Sequence, residues 1–273
     1  MNIGIVSIGS SSSGNSYIVT NGNTYIILDA GISGRRTKAA LQEYSITPEA
    51  VSAICVTHEH VDHIGNLHVI AGVCAEAEIL MTEGTYNGWV AGKKQRVDES
   101  RIGIVDTEHE FDIGDITVRT FSLSHDAREP IGYTFLSGGM QLSVVTDTGI
   151  ITQEIHDEIS SADLLVMEAN HEVEILQVGN YPYVTKRRIL SELGHLSNVA
   201  AGYALSDVIE YRKSNGVQNP LRIMLAHISA NNNTPHNALL TVKSIFAEKG
   251  FRENIDYTLA FAPEKEQSGF IEV

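Results

Sequence analysis

Short apolar runs rich in Val, Ile, Tyr and Thr fill the first half of the chain, and Gly or Asn-Gly punctuates them. Runs of that length and composition predict strands. They fall at Ile3–Ile8, Tyr17–Thr20, Thr24–Leu28, Val51–Val56, Glu78–Met81, Ile116–Leu123, Gly132–Leu136 and Gln141–Thr146. Asn21-Gly22 between two of them signals a tight hairpin, because both residues tolerate positive φ. Helices are predicted over Ser33–Tyr44, His63–Cys74, Glu83–Gly92 and Thr152–Ser160. The second half changes rhythm. A strand at Asp163–Glu168 leads into helices at Lys186–Leu193 and Ser197–Lys213, with Gly194 closing the first and Ser197 capping the second. A strand at Leu221–Ala226, a helix from Pro235 with Thr234 as N-cap, and a strand at Asp256–Phe261 complete the chain. No repeat, low-complexity tract or Pro/Ser linker interrupts the 273 residues. The expectation is one α/β domain over residues 1–273, sheet inside and helices outside.

Composition narrows the possible partners. Apolar residues make up 42% and charged residues 19%, which suits a folded chain. Lys and Arg number 19 against 34 Asp and Glu, for a net charge of −15. A broad basic face spread over DNA or an anionic membrane is therefore excluded, and any phosphate must be gripped locally. The N-terminal segment has no basic n-region, and no apolar run approaches the roughly 18 residues of a membrane span. A cytoplasmic protein with no membrane partner is expected, its oligomeric state open. Cys55 and Cys74 are too few for a disulfide scaffold and form no CxxC pair. Cys55, in an apolar run, reads as a buried thiol. Eleven His beside two Cys give the first hint of chemistry.

Residues 57–65 read Thr-His-Glu-His-Val-Asp-His-Ile-Gly, directly after the apolar run Val51–Val56. In extended chain, residues two apart point to one side, so His58 and His60 can share a metal. The chain then turns toward a helix, where Asp62 and His63 can face a second. Imidazole and carboxylate at this spacing suit zinc, manganese or iron. Three more polar groups follow predicted strands: Ser124-His125-Asp126, Asp147-Thr148-Gly149 and His227-Ile228-Ser229. Each alone would pass for a turn or cap. Together they fit ligands gathered beyond the carboxyl ends of strands.

These residues resemble the metallo-β-lactamase superfamily, and within it the YycJ/WalJ group of nuclease-like proteins. The likeness runs from about Ile5 to Phe261. Its carriers are Ser7–Asn15, Leu28-Asp29-Ala30-Gly31, His58–His63, Ser124-His125-Asp126, Thr146–Gly149, Glu168-Ala169-Asn170-His171, Gly194–Asn198, and His227 with Asn231–Asn233. The resemblance implies an αββα sandwich with a two-metal site at the sheet edge. It implies one metal on His58, His60 and His125, a second on Asp62, His63 and His227, and Asp147 bridging both. It places Asp29 beneath the metal loop, as a carboxylate that orients the loop. It also weighs against a true β-lactamase, since the common zinc β-lactamases lack a bridging carboxylate. Glu172 stands where the narrower group usually has Asp, and no room exists for the large inserted domain of RNase J-like relatives.

Two divalent ions (Mn2+, Zn2+ or Fe2+), two carboxylates and a bridging hydroxide leave about one positive charge, which favours an anionic substrate. Paired metals fit in-line displacement at phosphorus. The expected function is a metal-dependent phosphodiesterase, a nuclease resembling a 5′–3′ exonuclease, hydrolysing single-stranded or end-bound DNA or RNA with a metal-bridging hydroxide. Asp62 and His195 are the candidate catalytic residues, His195 as proton donor to the leaving oxygen or as a phosphate contact. A thioester or lactone hydrolase of the glyoxalase II type is the alternative, and a non-enzymatic metal protein is the third reading.

Substrate contacts are expected from Ser12 and Asn15 in a small-residue loop over Gly9–Asn15, which lacks the Gly-Lys-Ser/Thr ending of a P-loop. Further candidates are Lys186 and Arg188, Ser197 and Asn198 at a helix start, and Asn232 and Asn233 after His227. Asn170-His171 reads as a strand-end loop near the site, Lys93–Arg96 as surface, and Trp89 as core or rim.

Overall fold

The chain divides between two units, which the computed structural model describes over residues 2–92 and 97–273. The Lys93–Arg96 cluster lies outside the described residues. The first unit comprises Met1–Ser122, Ala127–Gly139 and Pro263–Glu272, the second Leu123–Asp126 and Met140–Ala262 together with Val273.

The first unit begins with strands β1 (Gly4–Ser11), β2 (Gly14–Thr20) and β3 (Tyr25–Leu28), then helix α1 (Gly34–Glu43) and strand β4 (Val51–Cys55). Helices α2 (Val61–Ile64) and α3 (Leu67–Val73), strand β5 (Glu78–Met81), helix α4 (Glu83–Gly92) and strand β6 (Ile102–Ile104) follow. The expected helix His63–Cys74 is thus two pieces, broken around Gly65-Asn66, where the Asn66 amide donates to Ala30 O at 2.9 Å. An antiparallel meander, β7 (Glu110–Ile113), β8 (Ile116–Ser122) and β9 (Ile131–Ser137), completes this run. Half-exposed β6 and β7 carry too weak a pattern for prediction.

Along the first sheet the order is β14-β1-β2-β3-β4-β5-β6, with β14 (Ile271–Glu272) at one edge. β2 and β3 pair antiparallel through the expected Asn21-Gly22 turn, Gly22 having φ +92°. β3, β4 and β5 run parallel, and their near-continuous apolar sequences match burial on both faces. Ile27, Ile54 and Ile79 from these strands share one core with Leu41 of α1 and Leu67 and Ile70 of α3, and half-buried Trp89 packs against it. Burial of a side chain of this size is worth roughly 1.5–3 kcal/mol, so the cluster holds the strand ends in register.

The second unit runs β10 (Met140–Val145), α5 (Gln153–Ile159), β11 (Leu164–Glu168), α6 (Val173–Val178), α7 (Tyr183–Ile189), α8 (Asn198–Ser214), β12 (Leu221–Ala226), α9 (Pro235–Glu248) and β13 (Tyr257–Phe261). β10, β11, β12 and β13 pair in parallel in that order. Their carboxyl ends therefore lie on one side. α7 starts three residues before the expected Lys186 because Pro182, with φ −54° already near helical, serves as its N-cap. Thr234 caps α9 as expected, its Oγ1 accepting from Asn237 N at 3.1 Å. α9 buries Ala238, Val242, Ile245 and Phe246, one helical face.

Candidate metal and catalytic site

In the first unit, β4 delivers the chain to Thr57, and His58, His60, Asp62 and His63 gather within the turn that follows. The β4 end is pinned on both sides: Asp29 N donates to Cys55 O at 2.8 Å and Val56 N to Leu80 O at 2.9 Å. His60 is the N-cap of α2, and its carbonyl accepts from His63 N at 2.9 Å, which folds the second half of the motif back on the first. The His58 ring centroid lies 4.7 Å from that of His60 and 4.2 Å from that of His63. His63 Nε2 is 3.7 Å from Asp62 Oδ2. His58 and His63 are fully buried, and Asp62 keeps a fifth of its side chain exposed.

Asp29 fills the expected position under this loop. Its Oδ1 accepts from Thr57 N at 2.9 Å and its Oδ2 lies 2.7 Å from His63 Nδ1. The Thr57 hydroxyl, 3.0 Å from Asp29 Oδ1, is also 3.0 Å from His58 Nδ1. One buried carboxylate thus orients two imidazoles, directly and through Thr57. Gly31 makes the fit possible: a Cβ there would stand 1.7 Å from Asp62 O.

In the second unit, three successive parallel strands end on site residues: Asp147 after β10, Glu168 closing β11 and His227 after β12. Asp147 and His227 take φ of +62° and +51°, as Asp29 takes +61° in the first unit. Left-handed backbone costs a non-glycine residue about 1–2 kcal/mol, and here it turns each side chain off the end of its strand. Ligand-type atoms of Asp147, Glu168, His195 and His227 all lie within 4.8 Å of one another. His125 Nε2 is 3.6 Å from Asp147 Oδ1, and its Nδ1 is 3.0 Å from Gly194 O.

Glu168 was visible in the sequence only as part of a motif; its role was not. Its Oε1 is 2.8 Å from both His195 Nδ1 and His227 Nδ1. Its Oε2 accepts from Thr148 N at 3.1 Å and Leu196 N at 3.3 Å. Burial opposes ionisation of this carboxyl, but the charge of His195 and the hydrogen bonds from both rings outweigh it and hold the group below the usual carboxylate range. The signal available was a lone acid closing an apolar strand, which a buried charge requires to be paired.

Both donor sets suit divalent metal. A carboxylate or carbonyl oxygen facing Nδ1 places the ring proton there, as for His63, His125 and His227. That leaves Nε2 as the donor atom, the arrangement metal-binding histidines show.

The remaining candidates divide by burial. Ser12 is exposed at the β1–β2 turn. The small-residue loop expected over Gly9–Asn15 is largely a hairpin, with Ser10 N bonded to Pro263 O, Ser11 N to Asn15 Oδ1 and Ser13 N to Ser11 Oγ. A run of small polar residues has no alternation to reveal a strand. Asn15 is buried, with Nδ2 2.9 Å from Ser11 O and 3.1 Å from His63 Nε2. Ser197 caps α8, its Oγ accepting from Ala200 N at 3.1 Å. Asn198 and Asn233 are buried and exchange hydrogen bonds of 3.0 and 2.7 Å. Asn232 is buried beside them. Lys186 Nζ donates to Gln177 O at 2.7 Å, and Arg188 forms a two-pronged pair with Asp126. His171 is buried, and neither ring nitrogen has a hydrogen-bond partner among the described residues. Burial pushes its imidazole down to about 4, against the pull of Glu168. Both cysteines are buried and unpaired, and burial raises the Cys74 thiol to about 11.

Residues 24–214 match the family described as a beta-lactamase superfamily domain. The chain is 36% identical over 252 residues to exodeoxyribonuclease YycJ of Bacillus anthracis, covering 89% of each chain. It is 34% identical to exodeoxyribonuclease WalJ of Streptococcus pneumoniae serotype 2, covering 92% of this chain and 90% of the relative. Among solved structures, the metallo-β-lactamase fold protein YhfI from Bacillus subtilis matches with a TM-score of 0.70 at 15% identity, over 100% of both chains. The expected α/β fold is the one observed. No helix among the described residues is long and apolar enough to cross a membrane.

Proposed function

The chain belongs to the metallo-β-lactamase superfamily and to its YycJ/WalJ group, and on that premise we propose that it is a metal-dependent phosphodiesterase, a nuclease that degrades DNA from an end. The reading takes residues 1–273 as one working domain of a cytoplasmic enzyme. Its ligands are His58, His60 and His125 for one divalent ion and Asp62, His63 and His227 for another, with Asp147 shared. Manganese, zinc or iron suits that set. Such a pair, when bound, supplies Lewis acidity and an activated water at neutral pH.

The observation that carries the reading is the partnering of the Nδ1 atoms. Asp29 faces that of His63, Gly194 O that of His125, and Glu168 that of His227. Each ring is thereby held in one tautomer with Nε2 presented. Glu168 faces Nδ1 of His195 in the same way, so Nε2 is the nitrogen turned to the leaving oxygen, and it donates there after taking up a second proton from water. Asp62, a partly exposed carboxylate 3.7 Å from His63 Nε2, is the acid assigned to orient the attacking group. Ser12, Lys186 and Arg188 supply polar contacts to the strand, while Ser197 and the buried Asn15, Asn198, Asn232 and Asn233 shape the surfaces that carry it.

The test is elemental analysis of purified protein followed by an end-labelled single-stranded DNA assay. Stepwise loss of nucleotides is expected, abolished by His60→Ala and by Asp147→Ala with circular dichroism unchanged. Full activity in either variant, or hydrolysis of a thioester without any phosphodiester cleavage, overturns the reading.

A further inference from the structure

The fifteen residues Gln177–Ser191 hold three cations and no carboxylate, in a chain whose net charge is −15. They fold as the end of α6, a turn through Tyr181-Pro182, and α7. Large apolar and aromatic surface is exposed here: Tyr183 at 73%, Val184 at 77% and Val178 at 85%. The Arg187 guanidinium lies over the Tyr183 ring, 5.9 Å from its centroid. Tyr181 is held by Asn231, whose Nδ2 donates to its hydroxyl at 2.8 Å. An exposed ring backed by a cation can stack a base on its open face and attract phosphates around its edge.

The far end of α7 is tied to the proposed proton donor and to the chain beside a proposed ligand of the same unit. Arg188 clamps Asp126, the neighbour of His125. Ile189 O accepts from His195 N at 3.0 Å, and Leu193 O accepts from Asp126 N at 3.1 Å. From Tyr183 to Ile189 the helix rises about 9 Å, the reach of a nucleotide or two. α7 therefore starts at an aromatic platform and ends against His195.

We propose that α7 is the landing surface for a single-stranded polynucleotide, with Tyr183 stacking an unpaired base and Arg187 and Lys186 holding the phosphates beside it. The proposal rests on the nuclease reading for its substrate and goes beyond it in choosing single strands and a direction of approach. Charge complementarity favours a polyanion, because a second copy docking this face two-fold would set the cations Lys186 and Arg187 against themselves. Stacking also requires an unpaired base, so duplex DNA gains little from this surface.

The test measures binding apart from cleavage. Chelated protein is titrated into fluorescent single-stranded and duplex oligonucleotides and followed by anisotropy. Tyr183→Ala is expected to weaken single-strand binding about tenfold and Tyr183→Phe to retain it. Arg187→Glu is expected to weaken binding and make the salt dependence shallower. Both positions are exposed, so circular dichroism should stay native. Unchanged binding by Tyr183→Ala and Arg187→Glu overturns the platform while leaving the nuclease reading intact. If wild-type protein shows the expected binding pattern but cleaves no DNA when metal-loaded, the platform stands and the nuclease reading falls. A wild-type dimer in sedimentation that Val184→Glu dissociates, with DNA binding unaltered, assigns the face to a second copy and overturns the proposal.

Discussion

Oε1 of Glu168 stands 2.8 Å from Nδ1 of His227, and the same oxygen serves His195 at the same distance. One lone carboxylate at the end of β11 thus fixes the orientation of a proposed ligand and of the proposed proton donor. Glu168→Gln replaces a pure acceptor by an amide that also donates. Metal affinity should fall about 10- to 100-fold, as for other outer carboxylates. Competition with a chelator measures it, and wild-type affinity would show that the carboxylate does not orient His227.

Asp29→Ala leaves Thr57 N and His63 Nδ1 without their buried acceptor. An orphaned buried polar group costs about 1–3 kcal/mol, so urea unfolding of the metal-free variant should show a loss within or somewhat above that range. Asp29→Asn should recover part of it. A midpoint equal to wild type for Asp29→Ala would remove Asp29 from the support of the loop.

Two glycines should respond with opposite sign. At Gly31 an added methyl meets Asp62 O at 1.7 Å, so Gly31→Ala must displace the loop carrying His60, Asp62 and His63. Melting temperature and metal content should drop together. At Gly72, exposed in α3, nothing lies within 4 Å. Gly72→Ala should stabilise by about 0.5–1 kcal/mol through helix propensity. Calorimetry of both variants checks the pair.

His171 makes metal-free protein acid-sensitive. Its native imidazole sits at about 4, below the ordinary value of 6.5. The unfolded state therefore binds the extra proton first, and stability declines as pH falls through that window, by about 3 kcal/mol in all. Above pH 6.5 the contribution is fully present. Thermal melts between pH 7.5 and 4.5 should show wild type losing stability relative to His171→Gln as pH drops; parallel curves would refute the assignment.

Much of this was legible in the chain itself. His58-x-His60 after an apolar strand announces a shared face, and Asp147 and His227 stand where strand patterns stop. Leu221–Ala226 is recovered residue for residue. What escaped has physical reasons. Glu168 looks like any acid at a strand end until the two imidazoles arrive from positions 195 and 227. The serine run hides a hairpin because small polar residues carry no two-residue period. α6 is six residues long with one buried side chain, Leu176, too short for a helical stripe. The start of α7 was readable from Pro182, since a ring that fixes φ marks a first turn.

The left-handed backbone shared by Asp29, Asp147 and His227 bears on how descendants of this chain would drift. Glycine relaxes in that conformation and asparagine tolerates it better than a bulky ring does. A lineage freed from chemistry would gain stability by adopting either, most of all at His227. Persistence of an imidazole there therefore marks a working copy, and its replacement by glycine would date the loss of use.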